Sequence, residues 1–150
     1  MRWQPCLVLG LLSVVALVGC AAIGEHMVSK EKSLYGRLGG KPVLTAVVDD
    51  FVARVVGDPR MHRFFAHADT ALLKVKLIDH ICEASGGPCK YAGKDMQTAH
   101  QGMGITHADF DALIDDFVTT LDKFKFWIPD REKHELLAVW GSLRKDIVTK

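Results

Sequence analysis

Residues 42–57 read PVLTAVVDDFVARVVG, and the apolar side chains in this stretch recur three and four positions apart. Such spacing places one apolar stripe along a single side of an α-helix, which is typical of a helix buried along one face. The stripe consists of Leu44, Val47, Val48, Phe51, Val52 and Val55. Pro42 suits the first helical turn, and the Gly-Asp-Pro sequence at 57–59 ends the pattern. The stretch therefore predicts a first long helix.

Three later stripes have the same period and predict an all-α fold. Asp69 is a candidate N-cap for the second long helix, and Thr106 with Asp109 forms a capping-box pattern ahead of the third. No run of strand length alternates with the two-residue period of a half-buried strand. The long helices are predicted at 42–57, 70–85, 107–125 and 130–148, and short helices at 33–38, 59–66 and 95–101.

The charge balance argues against a nucleic-acid partner. The chain has 150 residues with 19 basic and 18 acidic side chains, a formal net charge of +1. No five Lys or Arg residues cluster anywhere in the sequence, so the electrostatic footprint of a polyanion-binding protein is missing. The length and the 49% hydrophobic content suit one compact domain with an ordinary core.

The N-terminal residues have the composition of an export signal or a membrane anchor. Residues 6–23 contain no charged side chain, and Leu17-Val18-Gly19-Cys20-Ala21 resembles the lipobox of bacterial lipoproteins. We expect a lipoprotein signal at 1–19, a lipid on Cys20, a polar tether at 20–32 and a folded domain at 33–150. A plain secretory signal and an uncleaved transmembrane anchor are the alternatives. All three place the domain outside the cytoplasm, with the periplasmic side of a bacterial membrane as the expected location.

Two of the four cysteines flank a Gly-Gly-Pro turn. Cys82 lies in the last turn of the second predicted long helix, and Cys89 follows the turn at 86–88. An oxidising compartment would allow a disulfide between them. The alternative is a pair of free thiols, one in a helix and one in a loop.

The histidines offer few sites for chemistry. His62 and His67 are interpreted as surface residues rather than zinc ligands, because the sequence offers no two further ligands at workable spacing. The absence of a CxxCH motif excludes covalent haem of the c type. His100 lies in the stretch MQTAHQGMGIT at 96–106, between a glycine-rich loop and a capped helix. Taken alone, such a histidine is more often structural than a ligand.

Five motifs together resemble the group I truncated haemoglobins over residues 33–148. They are YGRLGG at 35–40, VVDDF at 47–51, Phe64-Phe65, GGP at 86–88 followed by Tyr91, and HQG at 100–102 with Ile105-Thr106. The resemblance implies a two-over-two helical sandwich around a noncovalent haem b. It implies that His100 is the proximal ligand to the iron and that Phe65 packs on the porphyrin face. Further candidate haem contacts are Leu73, Lys76, Leu77 and Met96; helical spacing places Leu73 and Leu77 on one face of the second long helix, with Lys76 at its edge.

The distal side, with Phe51, Val52, Leu77 and His80 as its candidate residues, departs from the pattern of oxygen-binding members. They commonly have a tyrosine directly after the phenylalanine that Phe51 matches and a glutamine on the next helix, whereas this chain has Val52 and Leu77. Strong retention of oxygen is therefore not expected. His80 could donate to a ligand, bind the iron, or lie at the haem edge or the surface. Lys76 could reach a haem propionate, the iron or solvent.

The preferred functional hypothesis is a membrane-tethered globin that binds diatomic gases such as oxygen, nitric oxide or carbon monoxide. A second hypothesis uses the same haem for redox conversion of nitric oxide, nitrite or peroxide, which would require an external reductant. A third is a haem-free helical lipoprotein that serves in interactions or envelope structure.

Overall fold

A computed structural model describes residues 33–150, and the regular secondary structure of this range is entirely helical. In chain order the helices are α1 (Leu34–Arg37), α2 (Gly40–Gly57), α3 (His62–Phe65), α4 (Thr70–Ala84), α5 (Met96–His100), α6 (His107–Lys123), α7 (Asp130–Gly141) and α8 (Arg144–Ile147). The predicted signal, the tether and Cys20 lie outside the described residues. Within 33–150, no helix is both long enough and apolar enough to cross a membrane.

The prediction of one continuous helix at 130–148 is wrong. The structure ends α7 at Gly141 and starts α8 at Arg144. Between them the backbone tightens, since the amide of Leu143 donates to the carbonyl of Trp140 at 3.0 Å, and the Ser142 hydroxyl donates to the carbonyl of Val139 at 2.7 Å. Glycine has low helix propensity, and a serine hydroxyl competes for backbone partners, so the helix breaks here.

Helix α2 begins two residues before the predicted position, at a turn that depends on glycine. Gly39 has a φ of 91°, in the left-handed region that favours glycine. A Cβ atom at this position would lie 2.5 Å from Cγ2 of Val43. The turn therefore sets the direction in which α2 leaves α1.

The long helices form two layers, as the two-over-two sandwich requires. Helix α2 packs against α4 in one layer, and α6 packs against α7 and α8 in the other. The layers meet where α2 packs on α6. At this contact the Phe51 ring meets Phe117 edge-on at 5.1 Å and Trp140 at 5.5 Å, while Phe117 and Trp140 stack at 4.2 Å. These buried aromatic rings fix the spacing of the layers.

The capping box of α6 forms as the sequence predicts. The Thr106 hydroxyl accepts from the Asp109 amide at 3.2 Å, and the Asp109 carboxylate accepts from the Thr106 amide at 2.9 Å. Hydrogen bonds from the hydroxyl and the amide of Thr106 lower the pKa of Asp109. The box holds the start of α6, the helix that follows the His100 loop.

Replacing Thr106 with alanine should lower the free energy of unfolding by about 1 kcal/mol, because it removes the cap. The loss of stability should be smaller below about pH 4, where Asp109 takes up a proton. The Thr106 hydroxyl donates to the ionised carboxylate, and a carboxylate whose pKa is lowered by folding stabilises the fold only while it is ionised. Urea unfolding of Thr106→Ala beside Thr119→Ala, a threonine inside α6 whose hydroxyl donates only to the Asp115 carbonyl, measures this. Equal losses in the two variants would contradict the capping role.

Candidate functional site

Helix α5, which carries His100, starts at a well-defined cap. The Asp95 carboxylate accepts from the Thr98 amide and from the Thr98 hydroxyl, each at 2.8 Å. These hydrogen bonds lower the pKa of Asp95 and keep it ionised at the positive end of the short helix. This cap was not predicted, although the pattern Asp-x-x-Thr at 95–98 is typical of one.

The His100 ring is oriented by a backbone carbonyl. Its Nδ1 lies 2.7 Å from the carbonyl oxygen of Met96, one turn earlier in α5. A carbonyl only accepts, so Nδ1 carries the proton, and the lone pair of a neutral imidazole is left on Nε2. An orienting hydrogen bond of this kind is typical of histidines that bind a metal. His100 is half-buried and can offer Nε2 to one axial position of an iron.

A small apolar cluster, separate from the main core, packs against α5. Met96 packs on buried Ile105, Phe110 and Ile147, and the amide of Thr149 donates to the carbonyl of Ile105 at 2.9 Å. The C-terminal residues thus pack against the helix of His100. The Met96 side chain thus anchors α5 on the apolar cluster, while its carbonyl orients the His100 ring. These two contacts account for the position of Met96 without requiring a haem contact.

Half-buried apolar side chains on α3 and α4 complete the candidate site. Phe65, Leu73 and Leu77 pack against the main core but keep part of their surface exposed. Phe64 contacts both apolar clusters, so it joins the α5 side of the molecule to the core. Partly exposed apolar side chains such as these, in a chain that also carries the oriented His100 imidazole, fit a flat, apolar porphyrin. The residues present therefore suit a haem.

The structure separates the four predicted distal residues. Phe51 and Val52 are almost fully buried, and the Phe51 ring belongs to the aromatic contact between the layers. Leu77 is half-buried on α4. His80 lies one turn further along α4 and packs edge-on against the Tyr91 ring at 5.0 Å. None of the apolar three offers a hydrogen-bond donor from its side chain.

His80 and Lys76 both contact the loop that follows α4. Burial lowers the pKa of His80, which favours the neutral imidazole, although the charge of Glu83 opposes this shift. The Lys76 ammonium donates to the carbonyl of Ala92 at 3.5 Å. The Tyr91 amide donates to the Glu83 carboxylate at 3.2 Å. These partners could not be predicted from the residues alone because the pairing depends on how the loop folds back.

A disulfide between Cys82 and Cys89 closes this loop onto the end of α4. The intervening turn passes very close to the helix, since a Cβ atom at Gly87 would lie 2.6 Å from Cys82 Sγ and 2.7 Å from Cδ2 of Tyr35. Only glycine fits this approach. The disulfide and Gly87 thereby set the path of the chain towards α5.

Reducing the disulfide should lower the free energy of unfolding by about 2.5 kcal/mol, the chain-entropy value for so short a loop. Urea unfolding with and without a reductant measures the change, and Cys89→Ser serves as a control that should no longer respond to the reductant. Alkylation of both cysteines in the unreduced, unfolded protein would contradict the bridge.

No group of three or more His, Cys, Asp or Glu side chains within 33–150 is arranged to hold a metal ion. His62 and His67 are exposed, as expected of surface residues. The Nε2 of His100, left free to accept by the Met96 contact, is a candidate for one bond to a metal held by a larger cofactor.

Comparison with known proteins places this site in context. The family model described as bacterial-like globin matches residues 33–148. A group 1 truncated haemoglobin of Tetrahymena pyriformis is 32% identical over 122 residues, which cover 81% of this chain and 99% of that protein. A group 1 truncated haemoglobin of Synechocystis is 33% identical over 114 residues, 73% of this chain and 90% of that protein. The crystal structure of the Tetrahymena pyriformis protein in its Fe(III) form superposes with a TM-score of 0.74 and covers 79% of this chain and 100% of that one.

Proposed function

Since this chain belongs to the bacterial-like globin family as a group 1 truncated haemoglobin, we propose that His100 binds its haem iron and that this iron takes up diatomic gases. The cofactor of this globin is noncovalent haem. The observation that carries the proposal is the 2.7 Å hydrogen bond from His100 Nδ1 to the Met96 carbonyl. It fixes the tautomer in which Nε2 can bind a metal.

When bound, the haem would supply an iron that binds a diatomic gas. The protein's part is to hold and cover that group. His100 would supply a nitrogen ligand to the iron, and Phe65, Leu73 and Leu77 would exclude water with partly exposed apolar surface that the porphyrin would cover. The apolar distal side chains would give a gas little polar stabilisation. Oxygen should therefore enter and leave readily.

His80 acts at the edge of the site in this proposal rather than on the iron. Its ring packs against Tyr91 at 5.0 Å, and burial favours its neutral form. Replacing His80 with alanine should leave the visible spectra of the ferric and ferrous protein unchanged. Lys76→Ala, measured in parallel, tests the other polar side chain of α4 that could reach the iron. A change from a low-spin to a high-spin spectrum in either variant would assign that side chain as an iron ligand instead.

We place the globin domain on the periplasmic side of a bacterial membrane, tethered by residues 20–32 through a lipid on Cys20. The uncharged stretch at 6–23 and the lipobox-like sequence support this location. The Cys82–Cys89 disulfide supports it independently, since such bonds persist in oxidising compartments.

Membrane preparations of cells that express the full chain test both parts of this proposal. Adding carbon monoxide to the reduced membranes should give the difference spectrum of a haem protein. Intact-mass analysis of the membrane-purified chain should give a product that begins at Cys20 and carries lipid. A mass that retains residues 1–19 would favour the transmembrane anchor, and an unlipidated chain in the soluble fraction would overturn the tether without affecting the haem assignment.

A further inference from the structure

The turn between α6 and α7 presents aromatic side chains to solvent. Phe126 is 88% exposed and Trp127 is 60% exposed. Their rings meet edge-on at 5.6 Å, and the Phe124 ring lies 6.3 Å from that of Trp127. We call residues 124–128 the aromatic tip. Exposed aromatic side chains that adjoin one another commonly mark an interaction surface.

The tip is an ordered turn that holds its apolar side chains outward. The amides of Trp127 and Ile128 both donate to the Phe124 carbonyl, each at 2.9 Å. Ile128 is only 1% exposed, and Phe124 packs partly against the core. These contacts anchor the base of the turn on both sides. The exposure of Phe126 and Trp127 is therefore set by the folded backbone.

The composition of the tip suits the interface of a lipid bilayer. Trp and Phe beside Lys are typical of segments at the level of the lipid headgroups, where rings bury apolar surface and the ammonium stays in water. Lys125 is exposed and stands between Phe124 and Phe126 in the sequence. Residues 122–133 contain four basic and three acidic side chains, so the aromatic groups, rather than net charge, would supply most of the affinity.

The tip is connected to the start of the described domain, which directly follows the predicted tether. Arg37 Nε donates to the Glu132 carboxylate at 3.0 Å, which joins α1 to the first turn of α7. Glu132 follows Trp127 by five residues, and Ser33 precedes Arg37 by four. Residues 20–32 span at most about 45 Å when extended. A tether of this length lets the tip reach the membrane that holds the N-terminus.

We propose that Phe126 and Trp127 insert into the headgroup region of the phospholipid bilayer and orient the globin domain on it. This inference rests on the membrane tether of the proposed function. The tether raises the local concentration of the tip at the bilayer, so a weak aromatic contact is enough to hold one orientation.

Photocrosslinking in the membrane tests the contact. The full chain is expressed with benzoylphenylalanine in place of Phe126, irradiated in intact membranes, purified and analysed for phospholipid adducts. The matched control carries the same group in place of Val75, which is 54% exposed on α4. We expect about tenfold more phospholipid adduct at position 126, since interfacial insertion brings that ring into lasting contact with lipid. Trp127→Ser in the crosslinking chain should reduce the adduct severalfold while leaving the carbon monoxide spectrum unchanged.

Three outcomes would overturn the inference. Equal lipid adducts at the two positions, with the chain in the membrane fraction, would refute docking but leave the tether standing. An adduct to a second copy or to another protein at position 126 would assign the tip to a protein interface. Recovery of the chain only in the soluble fraction would overturn the tether and the docking together.

Discussion

Replacing His100 with alanine should lower the affinity for haem by more than about a hundredfold, because the loss of a ligand exceeds the 10- to 100-fold effect of losing a partner that orients one. The fold should survive, since His100 is only half-buried and the packing of α5 depends on Met96. Titration of the haem-free protein with haemin, followed in the Soret band, measures the affinity, and circular dichroism checks the helices.

His67→Ala is the matched control, since this histidine is exposed and lies outside the site. It should bind haem as the unaltered chain does. Imidazole added to His100→Ala should partly restore the absorption spectrum by supplying the missing nitrogen. Unchanged haem affinity in His100→Ala, with the original spectrum, would show that another residue supplies the axial nitrogen.

Introducing tyrosine at position 52 should slow the dissociation of oxygen on the order of 10- to 100-fold, because a hydrogen bond to a charged acceptor contributes about 1.5–3 kcal/mol. Val52 is 1% exposed, so the tyrosine ring must displace neighbouring side chains. The measurement is the oxygen dissociation rate by stopped flow. The unaltered chain should release oxygen fast.

Val52→Phe is the control for Val52→Tyr, as it adds the same ring without the hydroxyl. It should release oxygen at nearly the rate of the unaltered chain. Leu77→Gln tests the second apolar distal position and should also slow release. If the unaltered chain already held oxygen as long as Val52→Tyr does, a donor other than those at 52 and 77 would have to exist, and His80 would be the first to examine.

The helices were predictable because burial along one face repeats with the helical period. Caps at Asp69 and Thr106 also formed where the sequence indicated them, since a cap depends on residues only three apart. The break after Gly141 escaped prediction. Leu143 and Ile147 continue the apolar stripe across it, so the periodicity shows no interruption.

The site was less predictable than the helices because its decisive contacts are tertiary or involve the backbone. The partner of His100 is the carbonyl of Met96, and a carbonyl has no signature in the sequence. The partner of His80 is Tyr91, which reaches it only because the loop folds back onto α4. Family resemblance supplied the role of His100, whereas the structure supplied its orientation.

Noncovalent haem b underlies every role proposed for the residues around His100. The pyridine haemochrome assay on the chain purified from the cells that express it is the most direct test. We predict one haem b per chain, released completely by acidified butanone. A chain that contains no haem, or that retains haem after the extraction, would show that this cofactor assignment is wrong.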